Sequence, residues 1–158
     1  MKKRTAFIGA ILSLIPLGQP LLIKTGVVLS TAGLIFAVPE KVYAGDNSYY
    51  FDRAYEKGEN GDNYGAISDY TKALEIDPND AEVYYNRGWN KSQLKDYYGA
   101  ISDYTKAIEI NPQKVEAYKN RGIAKEEIGD LNGACSDWRQ TVFLSPNDDA
   151  AKWVRNQC

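Results

Sequence analysis

From Asn47 onward, apolar residues recur at helical spacing, in stretches separated by polar turns. The pattern is plainest between Ala81 and Lys114. Tyr84, Gly88, Lys91 and Leu94 share one face by i+4 and i+3 steps. Asp96 then stands where a side chain caps the next helix, whose apolar stripe is Ala100, Ile101, Tyr104, Ala107 and Ile108. Asn111 precedes Pro112, which disfavours helical backbone there and ends the element. This stretch predicts two helices and a tight turn.

The same pattern returns with a period of thirty-four residues. Pro78, Pro112 and Pro146 keep that spacing, as do Asp62, Asp96 and Asp130, and the pairs Gly65–Ala66, Gly99–Ala100 and Gly133–Ala134. The run Tyr64–Ala73 reappears unchanged as Tyr98–Ala107. Three units follow, Asn47–Asp80, Ala81–Lys114 and Val115–Asp148, with Asp149–Cys158 left over. One helical hairpin cannot bury its own apolar face, whereas three stacked hairpins with a terminal cap can. Ala54, Gly88 and Gly122, opposed to Ala66, Ala100 and Ala134, let paired helices approach closely. Tyr70, Tyr104 and Trp138 are expected to fill the space between neighbouring pairs.

The amino-terminal residues follow another rule. Met1–Arg4 is cationic, Thr5–Ile23 is apolar but broken by Pro16 and Pro20, and Thr25–Val38 is an uncharged run. That run has the length of a signal-peptide core and falls short of the roughly 20 residues a spanning helix needs. Val42–Tyr43–Ala44 has the shape a signal peptidase accepts, with Gly45 as the new amino terminus. Residues 1–44 therefore read as an export segment cleaved between Ala44 and Gly45, the alternative being an uncleaved membrane anchor. Either reading puts the repeats outside the cytoplasm.

Composition narrows the chemistry. The chain of 158 residues has no histidine and two cysteines. His-ligated zinc or haem, a Ser–His or Cys–His pair and a four-thiolate metal site are excluded. Beyond residue 44 there are 14 basic and 20 acidic residues, a net −6 that argues against nucleic acid as partner. Acid pairs such as Glu126–Glu127 or Asp148–Asp149 read as solvated faces, because neighbouring helical residues point in different directions. Gly58 and Gly61 read as a helix–helix turn and not a phosphate loop, and Asp77–Asp80 lacks calcium-loop spacing. No catalytic constellation emerges, and no cofactor or metal is expected.

Cys135 takes the inward place of Ile67 and Ile101, and Cys158 shares a face of the last helix with Ala150 and Val154. If the last two helices fold back about Pro146, the cysteines lie at nearly equal distances from the turn. A Cys135–Cys158 bridge would close a loop of about 24 residues, a stabilisation of about 3 kcal/mol in the chain-entropy picture. Buried free thiols and an intermolecular bond are the alternatives.

The repeat unit resembles the tetratricopeptide repeat. It has an aromatic at the fourth place (Tyr50, Tyr84, Tyr118), a small residue at the eighth, Ala at the twentieth, an aromatic at the twenty-fourth and Pro at the thirty-second. The resemblance covers Asn47–Asp148, and Asp149–Cys158 is similar to the solvating helix that follows a last repeat. It implies an all-α, right-handed superhelix of three helix pairs plus a C-terminal capping helix. Arg53, Arg87 and Arg121 depart from the usual Leu, and Lys57, Lys91 and Lys125 from the usual Tyr; their stems are expected to cover apolar surface while their charges reach water. Thr141 stands in place of Ala.

Function follows the resemblance. In such stacks the first helix of each pair lines a concave groove that holds a peptide or a partner's helix. The matching positions here are Phe51, Tyr55, Tyr85, Asn86, Trp89, Lys119, Asn120 and Ile123. Aromatic rings supply contact area and Asn hydrogen-bonds an extended backbone in both senses. Members that grip the carboxylate tail of heat-shock chaperones carry Lys and Asn in the first repeat, Asn in the second, and Lys and Arg in the third. Phe51 and Tyr55, then Glu116 and Asn120, stand there instead, with Asn86 alone matching, so that clamp is absent. The chain reads as a non-catalytic, monomeric protein- or peptide-binding scaffold or assembly factor. A membrane-tethered or self-associating scaffold is the alternative. Its leader and tyrosine-rich repeats are similar to exported cyanobacterial relatives, which implies the periplasm or thylakoid lumen.

Overall fold

The computed structural model describes residues 27–29, 35–37, 46–146 and 149–158. In the amino-terminal unit, strands β1 (Val27–Leu29) and β2 (Ile35–Ala37) pair antiparallel, Val27 opposite Ala37 and Leu29 opposite Ile35. The uncharged run read as a signal core thus contains backbone pairing, consistent with the β-branched Val27, Val28 and Ile35. The rest of the expected export segment, and the cleavage point Ala44–Gly45, lie outside the described residues.

The second unit is helical. Its elements are α1 (Asn47–Glu59), α2 (Asn63–Ile76), α3 (Ala81–Gln93), α4 (Tyr97–Ile110), α5 (Val115–Glu127), α6 (Leu131–Leu144) and α7 (Ala150–Gln157). Helices pair as α1 on α2, α3 on α4 and α5 on α6. Neighbouring pairs meet through α2 with α3 and α4 with α5, and α7 closes the stack on α6. No helix among the described residues is long and apolar enough to cross a membrane.

Short-range chemistry fixes the helix starts. Asp62, Asp96 and Asp130 cap α2, α4 and α6, accepting from the backbone N–H of Gly65, Gly99 and Gly133 at 2.9, 3.0 and 2.9 Å. A side chain at any of those glycines would strike the capping carboxylate, so the repeated Gly makes room for the repeated Asp. The α1–α2 and α5–α6 turns use Gly61 and Gly129 at positive φ, where the α3–α4 turn places Lys95 at φ 61°. Gly58, expected at the first turn, lies instead inside α1, buried against Asn90.

The core alternates small residues with rings. Ala54, Ala66, Ala100 and Ala134 are fully buried, and Tyr70, Tyr104 and Trp138 almost wholly so. The rings fill the space between neighbouring pairs as expected, Tyr70 clustering with Val83, Tyr104 with Ala124 and Trp138 with Ala150 of α7, and they pack within their own pair as well. Tyr104 lies over Gly88, Trp138 over Gly122, and Tyr70 meets Phe51 edge-on at 5.7 Å. The glycine one helix away is the space a bulky ring needs. Thr141 is buried and satisfied, its hydroxyl donating to the Asp137 carbonyl at 3.1 Å.

The basic columns depart from expectation. Arg53, Arg87 and Arg121 do not carry their charge out to water. Each forks onto a buried aspartate of its own pair, Asp69, Asp103 or Asp137, with both contacts between 2.6 and 2.9 Å. Lys57, Lys91 and Lys125 reach the same carboxylates at 2.8, 2.7 and 2.8 Å. A carboxylate buried to this degree is costly alone, so two cations converge on it. Burial by itself raises the pKa of Asp69, but Arg53 and Lys57 outweigh it and hold the carboxyl below its ordinary value.

At the closing end Cys135 and Cys158 form a disulfide, with Cα atoms 5.7 Å apart. The bridge ties α7 to α6, and Trp153 of α7 lies 5.3 Å from Trp138, centroid to centroid.

Candidate protein-binding groove

The first helices of the three pairs, α1, α3 and α5, stand side by side. Asp80 caps α3, accepting from the N–H of Glu82 and Val83 at 2.9 and 3.1 Å, and Asp46 caps α1. With their buried faces committed to α2, α4 and α6, these helices turn a second face outward, and two clefts open along it.

The first cleft, about 120 Å³, lies between α1 and α3 and is lined by Tyr55, Gly58, Glu59, Tyr70, Tyr85, Asn86, Trp89 and Asn90. Tyr70 is 1% exposed and forms its floor, whereas Tyr55 is 51% exposed at its rim. Asn86 is held by its side-chain N–H donating to the Glu82 carbonyl at 2.9 Å, and Asn90 in turn donates to the Asn86 carbonyl at 2.8 Å. The Asn90 side-chain oxygen is buried without a hydrogen-bond donor among the described residues.

The second cleft, about 240 Å³, lies between α3 and α5. Its lining includes Trp89, Ser92, Tyr97, Tyr104, Asn120, Ile123 and Glu127. Trp89 borders both clefts. Asn120 of α5 donates to the Tyr85 hydroxyl of α3 at 3.1 Å and so ties the two walls together. Burial, then the charges of Glu116 and Glu82, push the Tyr85 phenol above its ordinary pKa, against the hydrogen bond from Asn120. Tyr70 and Tyr104 are likewise pushed well up, chiefly by burial. These phenols stay neutral near pH 7 and act as apolar rings with one polar handle.

Six of the eight residues assigned to the groove by resemblance come together here: Tyr55, Tyr85, Asn86, Trp89, Asn120 and Ile123. The other two are placed elsewhere. Phe51 packs edge-on against Tyr70 and lines a separate cleft with Asn47, Ser48, Asp80 and Glu82. Lys119 lies 5.7 Å from the Trp153 ring centroid, drawn toward α7. Asn90, Glu59 and Tyr97 went unread in the sequence, and Glu127, read there as part of a solvated face, borders the second cleft. Asn90 owes its burial to the facing Gly58 of the preceding pair, which no local pattern announces.

Among the described residues no group of three or more Cys, Asp or Glu side chains could hold a metal ion. The arrangement offers aromatic area, amides and carboxylates, a surface for recognition.

Comparison with known proteins agrees. A tetratricopeptide repeat model matches residues 81–114, and a second TPR repeat model matches residues 55–89. Among solved structures, the first TPR of Spaghetti (RPAP3) bound to the HSP90 peptide SRMEEVD is 26% identical, covers 71% of this chain and 90% of that one, and gives a TM-score of 0.68. The Arabidopsis OM64 TPR domain is 28% identical over 68% of this chain and 89% of its own, with a TM-score of 0.66. The second TPR domain of human RPAP3, in complex with the HSP70 peptide SGPTIEEVD, is 25% identical over 69% and 95%, with a TM-score of 0.65. A search of curated proteins found no match. Residues 55–114 are thus tetratricopeptide repeats, and the helical unit shares the fold of TPR domains that act as non-catalytic protein-interaction modules.

Proposed function

We propose that the groove of α1, α3 and α5 binds an extended segment of a partner protein, and that the repeats work as a scaffold or assembly factor outside the cytoplasm. The observation that carries this reading is the pair of adjoining clefts, with Trp89 between them and Tyr55 exposed at the rim. Large rings left open to water cost a monomer solubility, and such rings are enriched where proteins meet. Relatives of similar fold hold peptides of HSP90 and HSP70, which supports a peptide as occupant. The occupant here is of another kind, because the positions matching the chaperone-tail clamp carry Phe51, Tyr55, Glu116 and Asn120.

Export is supported by the cationic and apolar leader and by the Cys135–Cys158 bridge, since disulfides persist in oxidising compartments. The periplasm or a thylakoid lumen fits both. The test has two parts. Intact-mass spectrometry of protein from its own cells, with and without reductant, should give a chain starting at Gly45 that gains two hydrogens on reduction. A full-length mass would make the leader an anchor and the protein a membrane-tethered scaffold. Trp89→Ala should leave helical circular dichroism nearly intact and weaken capture of the partner; undiminished capture would contradict the groove reading.

A further inference from the structure

We propose that the groove selects a basic segment, and that the first cleft receives a lysine side chain, its ammonium lodged among Tyr55, Tyr70, Tyr85 and Trp89 and donating to the Asn90 side-chain oxygen beside Glu59. This rests on the groove reading above and names the chemistry of its occupant. Three observations carry it.

The first is the lining. The cleft presents four aromatic residues, one carboxylate and two amides, and its volume of about 120 Å³ suits the end of one side chain rather than a fused ring system. Aromatic faces attract a cation through their quadrupole, most strongly where water is excluded. The Tyr85 ring already carries one ammonium in this way, that of Lys114 at 4.5 Å, whose charge is balanced by Glu82 at 2.6 Å.

The second is Asn90. It is 2% exposed and its side-chain nitrogen is spent on the Asn86 carbonyl, but its oxygen has no donor among the described residues. A buried acceptor left in that state costs free energy, which a donor entering the cleft would recover. An ammonium has three donors and no acceptor, and so complements it. A carboxylate would bring acceptor against acceptor.

The third is charge. Neither cleft is lined by a lysine or arginine, and each has a glutamate, Glu59 or Glu127. The cations of the three groove helices are engaged elsewhere. Arg53, Lys57, Arg87, Lys91, Arg121 and Lys125 converge on Asp69, Asp103 and Asp137, and Lys119 lies beside Trp153. The Asp103 and Asp137 sites each keep one net positive charge and the Asp69 site, which Lys72 also approaches at 4.0 Å, keeps two, but none of these cations lines either cleft. Repeats of net charge −6 add to the preference at long range. The HSP90 and HSP70 peptides held by the similar domains end in EEVD, the opposite sign.

The test uses the repeat-bearing chain and two acetylated, amidated peptides, Ser-Ala-Lys-Ala-Lys-Ala-Ser and the same peptide with Glu for both Lys. Binding is followed by calorimetry and by the indole resonance of Trp89, assigned with Trp89→Phe. The lysine peptide should bind roughly tenfold more tightly than the glutamate peptide, shift the Trp89 resonance and weaken with added salt. Asn90→Ala and the exposed Glu59→Gln should each cost the lysine peptide several-fold in affinity and leave the glutamate peptide unchanged. Equal or tighter binding of the glutamate peptide at Trp89 would overturn this inference and leave the groove reading standing. Binding of neither peptide would overturn the inference too, and the groove reading would then rest on Trp89-dependent capture alone.

Discussion

Arg87 links two repeats through Thr71. Its Nε and Nη2 hold Asp103 of its own pair at 2.9 and 2.7 Å, while Nη1 donates to the Thr71 hydroxyl of the preceding pair at 3.1 Å. Arg121 repeats the arrangement with Asp137 and Thr105, where its Nη1 contact is 3.0 Å. Arg53 has no repeat before it and turns Nη1 to the Tyr49 hydroxyl at 3.1 Å. One guanidinium thus closes a pair and fixes the next pair's register.

Asp103→Ala should therefore lower stability by about 2–3 kcal/mol. Removing one partner of a buried ion pair costs more in general, but Arg87 and Lys91 keep some access to water. Urea unfolding measures it. A loss under about 0.5 kcal/mol would mean the aspartate column contributes little.

Acid should destabilise the protein through Asp69. The native pKa of Asp69 is lowered, so its contribution is fully present above the unfolded value near 3.8 and is lost as pH falls through the lower native value. Stability should decline below about pH 4, and Asp69→Asn should flatten that decline while lowering the plateau. An unchanged acid limb in Asp69→Asn would assign the decline to other groups.

Cys158→Ser should reduce stability by about 3 kcal/mol under oxidising conditions and by almost nothing with reductant present. Cys158 is exposed, so the substitution removes the bridge and disturbs no packing. An equal loss under both conditions would count against the bridge.

Gly122→Ala should cost about 1–3 kcal/mol, since the new methyl would strike the Trp138 indole nitrogen. In contrast, Lys95→Gly should stabilise by somewhat less than 1 kcal/mol, because it relieves a non-glycine residue at φ 61°. Thermal melts of both variants check the two signs.

Much of the fold was legible before the structure. The prolines, the capping aspartates and the columns of Ala and Gly repeat at one interval, and each is a local signal with one physical meaning. The destination of Arg87 was not legible. A basic residue on a helix surface normally points to water, and the acid that captures Arg87 sits sixteen residues on, in the other helix of the pair. Its signal was the parallel column Asp69, Asp103, Asp137, on a helix face that is otherwise apolar. Within the groove, Tyr85, Asn86 and Trp89 were legible through resemblance, while Phe51 was misplaced because position alone does not say which neighbouring ring will cover it. Asn90 depends on the facing Gly58, a tertiary contact with no local trace.

The most direct test of the central claim is photo-crosslinking in the native compartment. A benzophenone amino acid would replace Asn86 or Tyr55 in the groove, and Tyr64 or Tyr98, which are 76% and 74% exposed and line neither cleft. The account predicts adducts to a discrete partner from Asn86 and Tyr55 and none from Tyr64 or Tyr98. Adducts from Tyr64 and Tyr98, with the groove positions silent, would contradict it.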